Sequence, residues 1–150
     1  MQELRGKRKC KIIYGVIDTN VIISSFLKSD SIPDLVVQLA LSGPIIPLIN
    51  DEILLEYSEV LLRDKFRFDK IEIKEFISDF IKRAIFLQRT KTTKVFKDPD
   101  DIVFYEIVLT ARSSTNAYLI TGNKKHFPKK SFVVTPKEMI EIIERNYKNK

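Results

Sequence analysis

A short apolar run near the start of the chain ends abruptly at an acidic residue. Residues 12–17 read Ile-Ile-Tyr-Gly-Val-Ile, and Asp18, Thr19 and Asn20 follow directly. A short apolar run bounded by polar turn residues predicts a buried strand. In an open α/β sheet, ligands bind just beyond the carboxyl ends of the strands. Because a carboxylate in that position costs free energy unless a partner compensates it, Asp18 is the first candidate for a binding site.

The rest of the chain alternates between helical and strand patterns. Helices are predicted at 20–28, 31–42, 50–62, 71–87 and 98–112 and from 135 onward, and further strands at 45–49, 118–121 and 132–134. Asn20 and Asn50 are the predicted caps of two helices, and Thr135 and Glu138 have the spacing of a capping box. Strands alternating with helices predict a mainly parallel sheet covered on both faces, which is a three-layer α/β/α sandwich. We assign residues 1–11 to a basic N-terminal segment and 12–147 to a single domain.

Composition limits the class of protein. The chain has 150 residues, of which 44% are hydrophobic and 31% charged, as expected for one globular domain with a real core. No apolar run reaches the roughly 18 residues of a membrane helix, and no export signal is recognised, so a cytoplasmic location is expected. The single cysteine, Cys10, excludes an intrachain disulfide. The net charge of +6 and the lysines at 124–130 favour polyanions.

Glu56 is the acid of the third predicted helix that lies nearest its buried face. The apolar stripe of this helix includes Tyr57 and Val60, and at about 100° per residue Glu56 falls roughly 40° from Val60. Glu52 and Glu59 lie farther round, where a solvated role fits them better. The pattern alone leaves a solvated role and a site role for Glu56 equally supported.

Three aspartates surround the proline that opens the fifth predicted helix. Aspartate is typical of a first helical turn, because it accepts from free N–H groups and complements the helix dipole, and this explains Asp98 and Asp100. It explains Asp101 less well. Asp101 shares a face with Phe104, Tyr105 and Val108, so it heads an inward stripe.

Converging acids of this kind favour a divalent cation. Two like charges about 4 Å apart repel by roughly 4 kcal/mol at an effective dielectric of 20, so three carboxylates need protons or a cation. Oxygen ligands suit Mg²⁺ or Mn²⁺. One cysteine and one histidine exclude a Cys/His zinc cage, and no glycine-rich phosphate loop is present. The histidine, His126, lies in a lysine-rich loop, where a surface or phosphate-facing role is expected.

At these residues the chain resembles the PIN-domain nucleases, in particular the single-domain toxins of prokaryotic toxin–antitoxin pairs. Four ordered segments carry the resemblance across roughly residues 12–143: VIDTNV at 16–21, DEILLEY at 51–57, DPDD at 98–101 and YLITGNKKHF at 118–127. The resemblance implies a Mg²⁺- or Mn²⁺-dependent endoribonuclease with a parallel sheet and an acidic pocket. It also implies an RNA substrate, an antitoxin partner, a homodimer and no membrane association.

The resemblance assigns roles residue by residue. Asp18, Glu56 and Asp101 match the three acids of the family's catalytic and metal-binding pocket, and Asp98 matches a further acid of many relatives. A fourth family acid commonly follows the Thr-Gly pair, where this chain has Asn123, which adds no charge. Orienting roles around the acids and waters fall to four residues: Thr19, Asn20, Thr121 and Asn123. Lys124 and Lys125 are the candidates for binding the RNA backbone.

Two other functions remain open at this point. The first is a catalytically weak module that binds RNA or an antitoxin, which Asn123 favours. The second is a Mg²⁺-dependent phosphohydrolase acting on a small phosphoester. An aspartyl-phosphate phosphatase would use a second aspartate two residues after the first, and Asn20 in that position counts against it.

Overall fold

The computed structural model describes residues 11–148, and these contain five strands and six α-helices. The strands are β1 (Ile13–Ile17), β2 (Ile45–Ile49), β3 (Ile85–Phe86), β4 (Ala117–Ile120) and β5 (Val133–Val134). The helices are α1 (Thr19–Leu27), α2 (Ile32–Ser42), α3 (Asp51–Leu61), α4 (Lys70–Arg83), α5 (Ile102–Arg112) and α6 (Pro136–Lys148). The strands form one all-parallel sheet in the order β3-β2-β1-β4-β5, which confirms the predicted α/β fold.

The position of β1 creates the site. The chain passes from β1 to β2 on one side and later reaches β4 on the other, so β1 and β4 diverge at a topological switch point. Open α/β sheets bind their ligands at such a point. The Asp18 amide donates to the Ile120 carbonyl oxygen at 2.9 Å, which holds the loops after β1 and β4 side by side. Buried side chains of the sheet and helices anchor this edge, among them Ile17, Tyr57, Phe104 and Leu119.

Two sequence predictions of secondary structure are wrong. The helix predicted at 71–87 ends at Arg83, because Ala84 adopts extended backbone (ψ 151°) and the chain then forms β3 beside β2. Two strand residues are too few for an alternating pattern to be recognised. Asn20 does not cap α1 either: it lies inside that helix, and its Oδ1 accepts from the Gly122 amide at 3.1 Å.

The helix caps otherwise follow the sequence. Asn50 caps α3 by accepting from the Ile53 amide at 2.9 Å. Thr135 and Glu138 bond reciprocally at 2.9 and 3.1 Å, which is the predicted capping box. Most of the predicted segment 1–11, including Cys10, lies outside the described residues. No helix within 11–148 has the length and apolar content to cross a bilayer.

Candidate active site

Asp18 lies at the carboxyl end of β1 and is 6% exposed. It occupies the N-cap position of α1, yet its side chain makes no capping hydrogen bond. Its Oδ2 instead accepts from the Thr121 hydroxyl at 2.7 Å. Burial raises the pKa of Asp18 to about 6, and the charges of Asp101 and Glu56 act in the same direction, while the Thr121 hydrogen bond opposes them. Asp18 is therefore a buried carboxylate that faces the site.

Glu56 reaches the same region from α3. It is half-buried, whereas Glu52 and Glu59 are exposed, as the helical pattern predicts. The Thr19 hydroxyl donates to Glu56 Oε2 at 2.6 Å. Burial raises the pKa of Glu56, and neighbouring aspartates, Asp100 foremost, raise it further, although the Thr19 hydrogen bond opposes this. The carboxylate is thus oriented by the residue that directly follows Asp18.

Asp101 closes a 3₁₀ turn, Pro99–Asp101, that leads into α5. Its side chain is 14% exposed. Within residues 11–148, its buried Oδ2 has no hydrogen-bond partner. Burial raises the pKa of Asp101, and the charges of Asp98 and Asp100 raise it further, while His126 lowers it. Asp98 caps the turn as expected, since its Oδ1 accepts from the Asp100 amide at 2.9 Å.

The three acids and Asp98 line one open cavity of about 500 Å³. Five other residues that matter to its chemistry also line it: Glu59, Arg63, Phe66, Asp100 and His126. Among the residues described, no three Asp, Glu, His or Cys side chains stand close enough to make a ready-formed metal cluster. The structure therefore brings the predicted acids to one cavity without drawing them into a tight cluster.

The predicted orienting residues form hydrogen bonds around two of these acids. Thr19 and Thr121 donate directly to Glu56 and Asp18. The Asn123 amide donates to Thr121 Oγ1 at 3.0 Å, so it supports the hydroxyl that holds Asp18. Asn123 itself does not line the acidic cavity.

The sequence did not predict that three further residues lie at this cavity. His126 was expected to have a surface or phosphate-facing role. It is exposed, and its Nδ1 also lies 3.5 Å from Asp101 Oδ2, a contact that the sequence did not predict. Arg63 lies two residues beyond the end of α3, where the helical spacing that marks Glu56 no longer applies. Phe66 comes from the turn after α3, where no periodic pattern gives a signal.

Lys124 and Lys125 line a second cavity, of about 450 Å³, rather than the acidic one. Lys129 and Lys130 share its rim, and the buried Phe127 also lines it. Lys124 Nζ pairs with Glu138 Oε1 at 3.1 Å, which ties this loop to α6. Lys125 has no such ion pair among the described residues.

A family model for the PIN domain matches residues 15–125. The chain belongs to the PIN domain family. The match extends from β1 to the lysine-rich loop and contains all three acids of the cavity. Searches among curated proteins and among solved structures gave no significant match. PIN domains are generally nucleases, so the chain has a nuclease-type function in the broad sense.

The residues of this PIN domain fit the divalent metal that the family generally uses. Its acids present only oxygen donors, the set that Mg²⁺ and Mn²⁺ prefer. Asp101 Oδ2 is a buried acceptor with no hydrogen-bond donor among the residues described. Its lone pairs can accept a cation and a proton donor together, so it is suited to be a metal ligand. The raised pKa values of Asp18, Glu56 and Asp101 show that their anions lack compensation in the protein alone.

Proposed function

We propose that this PIN domain is a Mg²⁺- or Mn²⁺-dependent endoribonuclease that hydrolyses RNA phosphodiester bonds. One observation carries the proposal: Asp18, Glu56 and Asp101 come from three separate segments and line one cavity at the switch point of the sheet. Asp18 and Asp101 would hold the ion, with Glu56 as a further ligand or as the proton acceptor. Asp98, which lines the same cavity, is an additional candidate ligand.

The chain's own groups supply positioning and proton acceptance. When bound, a divalent ion acidifies water and stabilises charge on the phosphoryl oxygens. The Thr121 hydroxyl donates to Asp18 and the Thr19 hydroxyl donates to Glu56, which orients both carboxylates at the cavity that they line. The raised pKa of Glu56 makes it a stronger base than an exposed glutamate, so it is suited to accept a proton from the attacking water.

RNA is the proposed substrate because one arginine lines the acidic cavity and four lysines line a second cavity on the loop that contains His126. Arg63 lines the acidic cavity, where its guanidinium can contact a backbone phosphate. Lys125 adds positive charge on the loop that contains His126. Lys124 adds a second charge there when its ion pair with Glu138 is broken. The net charge of +6 favours a polyanion generally.

The toxin component of a toxin–antitoxin pair is the proposed biological role. The single-domain resemblance supports it. Exposed apolar side chains on the α1–α2 hairpin, namely Leu27, Ile32 and Leu35, offer a surface for an antitoxin or for a second copy of the chain. The second candidate function is a catalytically weak module that binds RNA or an antitoxin. Asn123 favours it, because it adds no charge at a position where the family commonly has an acid.

An RNA cleavage assay tests the proposal. Purified protein is incubated with single-stranded RNA in Mn²⁺ or in EDTA, beside Asp18→Asn, Asp101→Asn and Asp51→Asn. Asp51 is an exposed acid at the start of α3 outside the cavity, so it is the matched control. We expect cleavage in Mn²⁺ by the unmodified chain and by the control only. Cleavage that persists in both site variants, or in EDTA, rejects the metal-nuclease proposal. RNA binding without cleavage, weakening steeply with salt, supports the binding module.

A further inference from the structure

Asn123 occupies the position of an acid that relatives use, yet it does not line the acidic cavity, whereas His126 does. We propose that Asn123 and His126 form a hydrogen-bonded pair that positions the carboxylate of Asp101. Both are positioning residues in this account, and the inference rests on the proposed metal-dependent activity. Asn123 then has a positioning role in the site, and its side chain is not simply a replacement for a metal ligand.

The geometry of the loop brings the pair together. Residues Lys124–His126 form a 3₁₀ turn after Asn123, and the His126 amide donates to the Asn123 carbonyl oxygen at 3.1 Å. This turn folds the ring back, so that Asn123 Nδ2 lies 2.9 Å from His126 Nε2. The other ring nitrogen, Nδ1, lies 3.5 Å from Asp101 Oδ2.

Hydrogen-bond chemistry then selects one tautomer. The Asn123 Nδ2 group can only donate, so His126 Nε2 must accept and carry no proton. In the neutral ring the proton is therefore on Nδ1, facing Asp101 Oδ2. That oxygen is buried and finds no hydrogen-bond donor in residues 11–148. A shift of about half an ångström would bring the Nδ1 contact into hydrogen-bond range.

The same asparagine also supports the other aspartate. Its backbone amide donates to Thr121 Oγ1 at 3.0 Å, and that hydroxyl donates to Asp18 Oδ2 at 2.7 Å. Asn123 thus reaches Asp18 and Asp101 through one intermediate side chain each. The link to Asp18 uses the backbone, so a substitution at position 123 removes only the side-chain link to His126. Removing a side chain that orients a ligating carboxylate changes metal affinity or activity about 10–100-fold.

The substitution Asn123→Asp separates this proposal from the idea of a lost acid. An aspartate cannot donate to Nε2, so the ring would have to carry a proton there. The ring then either gives up the Nδ1 proton that faces Asp101 or becomes a cation, which repels a divalent ion held by Asp101. We therefore expect Asn123→Asp to lower Mn²⁺ affinity and kcat. If the chain merely lacks its fourth ligand, restoring the acid raises both, and that result overturns the proposal.

Nuclear magnetic resonance gives a test that needs no catalysis. His126 is the only histidine, so a long-range ¹H–¹⁵N correlation spectrum of untagged, metal-free protein reports this ring alone. We expect the Nδ1-protonated tautomer, its loss in Asn123→Ala, and no change in Asn116→Ala. Asn116 is exposed and precedes β4 at the opposite end of the strand. An Nε2-protonated ring in the unmodified protein contradicts the proposal.

Paired variants of His126 provide the functional test. An asparagine places its amide nitrogen near the position of Nδ1, and a glutamine places it near Nε2. His126→Asn should keep Mn²⁺ affinity and kcat within about threefold, whereas His126→Gln and His126→Ala should lose about tenfold, with KM for RNA unchanged. Equal losses in His126→Asn and His126→Gln, or a change confined to KM, reject positioning. If the unmodified chain cleaves no RNA, the proposed function fails, while the NMR spectrum and Mn²⁺ titration still decide the role of this pair.

Discussion

The hydroxyl of Thr121 donates a 2.7 Å hydrogen bond to Oδ2 of Asp18, although 103 positions separate the two residues in the chain. Thr121 follows β4 and Asp18 follows β1, and these neighbouring strands are parallel. The bond therefore joins the two loops between which the acidic cavity opens. It also fixes the orientation of the most deeply buried acid of the site.

Replacing this hydroxyl should reduce catalysis. Thr121→Val keeps the shape of the side chain but leaves Asp18 Oδ2 without its donor, so we expect kcat for RNA to fall about tenfold with little change in KM. Thr115→Val is the matched control, because the buried Thr115 hydroxyl has no partner among residues 11–148. Steady-state kinetics of both variants check this. Equal kcat values in the two variants would show that the Thr121 hydrogen bond does not matter for catalysis.

The metal-free protein should become more stable on mild acidification. Burial raises the pKa of Asp18 to about 6 from 3.8, so the folded state binds this proton more tightly than the unfolded state. The resulting stabilisation is complete below the unfolded pKa and is lost as the pH rises through 6. Between pH 7.5 and 5.5 the gain from Asp18 should be about 1 kcal/mol.

Urea unfolding in EDTA at the two pH values measures this gain. The unmodified protein is compared with Asp18→Asn, which cannot titrate, and with Asp30→Asn at an exposed position outside the cavity. The difference between the unmodified protein and Asp18→Asn should change by about 1 kcal/mol, while the Asp30→Asn protein should follow the unmodified one. Identical pH dependence in Asp18→Asn and the unmodified chain would contradict the raised pKa.

Arg89 offers a comparison of two ion pairs on one cation. Its Nε donates to the buried Glu106 at 2.7 Å, and its Nη1 donates to the exposed Glu52 at 2.9 Å. Glu106 also accepts from the Thr92 amide, so Glu106→Gln leaves one of these two donors unpaired. We expect Glu106→Gln to lower the free energy of unfolding by about 2 kcal/mol and Glu52→Gln by less than about 1 kcal/mol. Chemical denaturation measures both, and the reverse order would contradict the role given to burial.

Arg63 should act on substrate binding. Arg63 lines the acidic cavity, so Arg63→Ala should raise KM for RNA severalfold and weaken the salt dependence of binding. Arg145 on α6 is exposed and lies outside the cavity, so Arg145→Ala provides the control. Kinetics at two salt concentrations distinguish the variants. An unchanged KM in Arg63→Ala would show that Arg63 does not bind RNA.

The fold was predictable because its signals are local. The apolar run before Asp18, the caps at Asn50 and Thr135, and the alternation of strands and helices each depend on a few neighbouring residues. The edge strand β3 was not predictable. Its two residues form a strand only because β2 presents unpaired backbone groups beside them, and no pattern within the segment records that.

The candidate site was predictable only in part, because some of its residues have local signals in the sequence and others do not. Asp18 and Asp101 are marked by a strand end and by an inward stripe, and the side of α3 on which Glu56 lies follows from helical geometry. The contact of His126 with Asp101 depends on how the 3₁₀ turn after Asn123 folds back toward a distant loop. Such a contact between remote segments leaves no mark in either segment alone.

The central claim is that Asp18 and Asp101 hold a divalent ion in the cavity that Glu56 also lines. Calorimetric titration of the protein with Mn²⁺ tests it most directly, beside Asp18→Asn, Glu56→Gln, Asp101→Asn and the control Asp51→Asn. We expect saturable binding to the unmodified chain and to Asp51→Asn, and binding weakened at least tenfold in Asp18→Asn and Asp101→Asn. A similar loss in Glu56→Gln assigns Glu56 as a ligand, and unchanged affinity assigns it as the proton acceptor. Equal Mn²⁺ affinity in all five proteins would contradict the claim that Asp18 and Asp101 hold the ion.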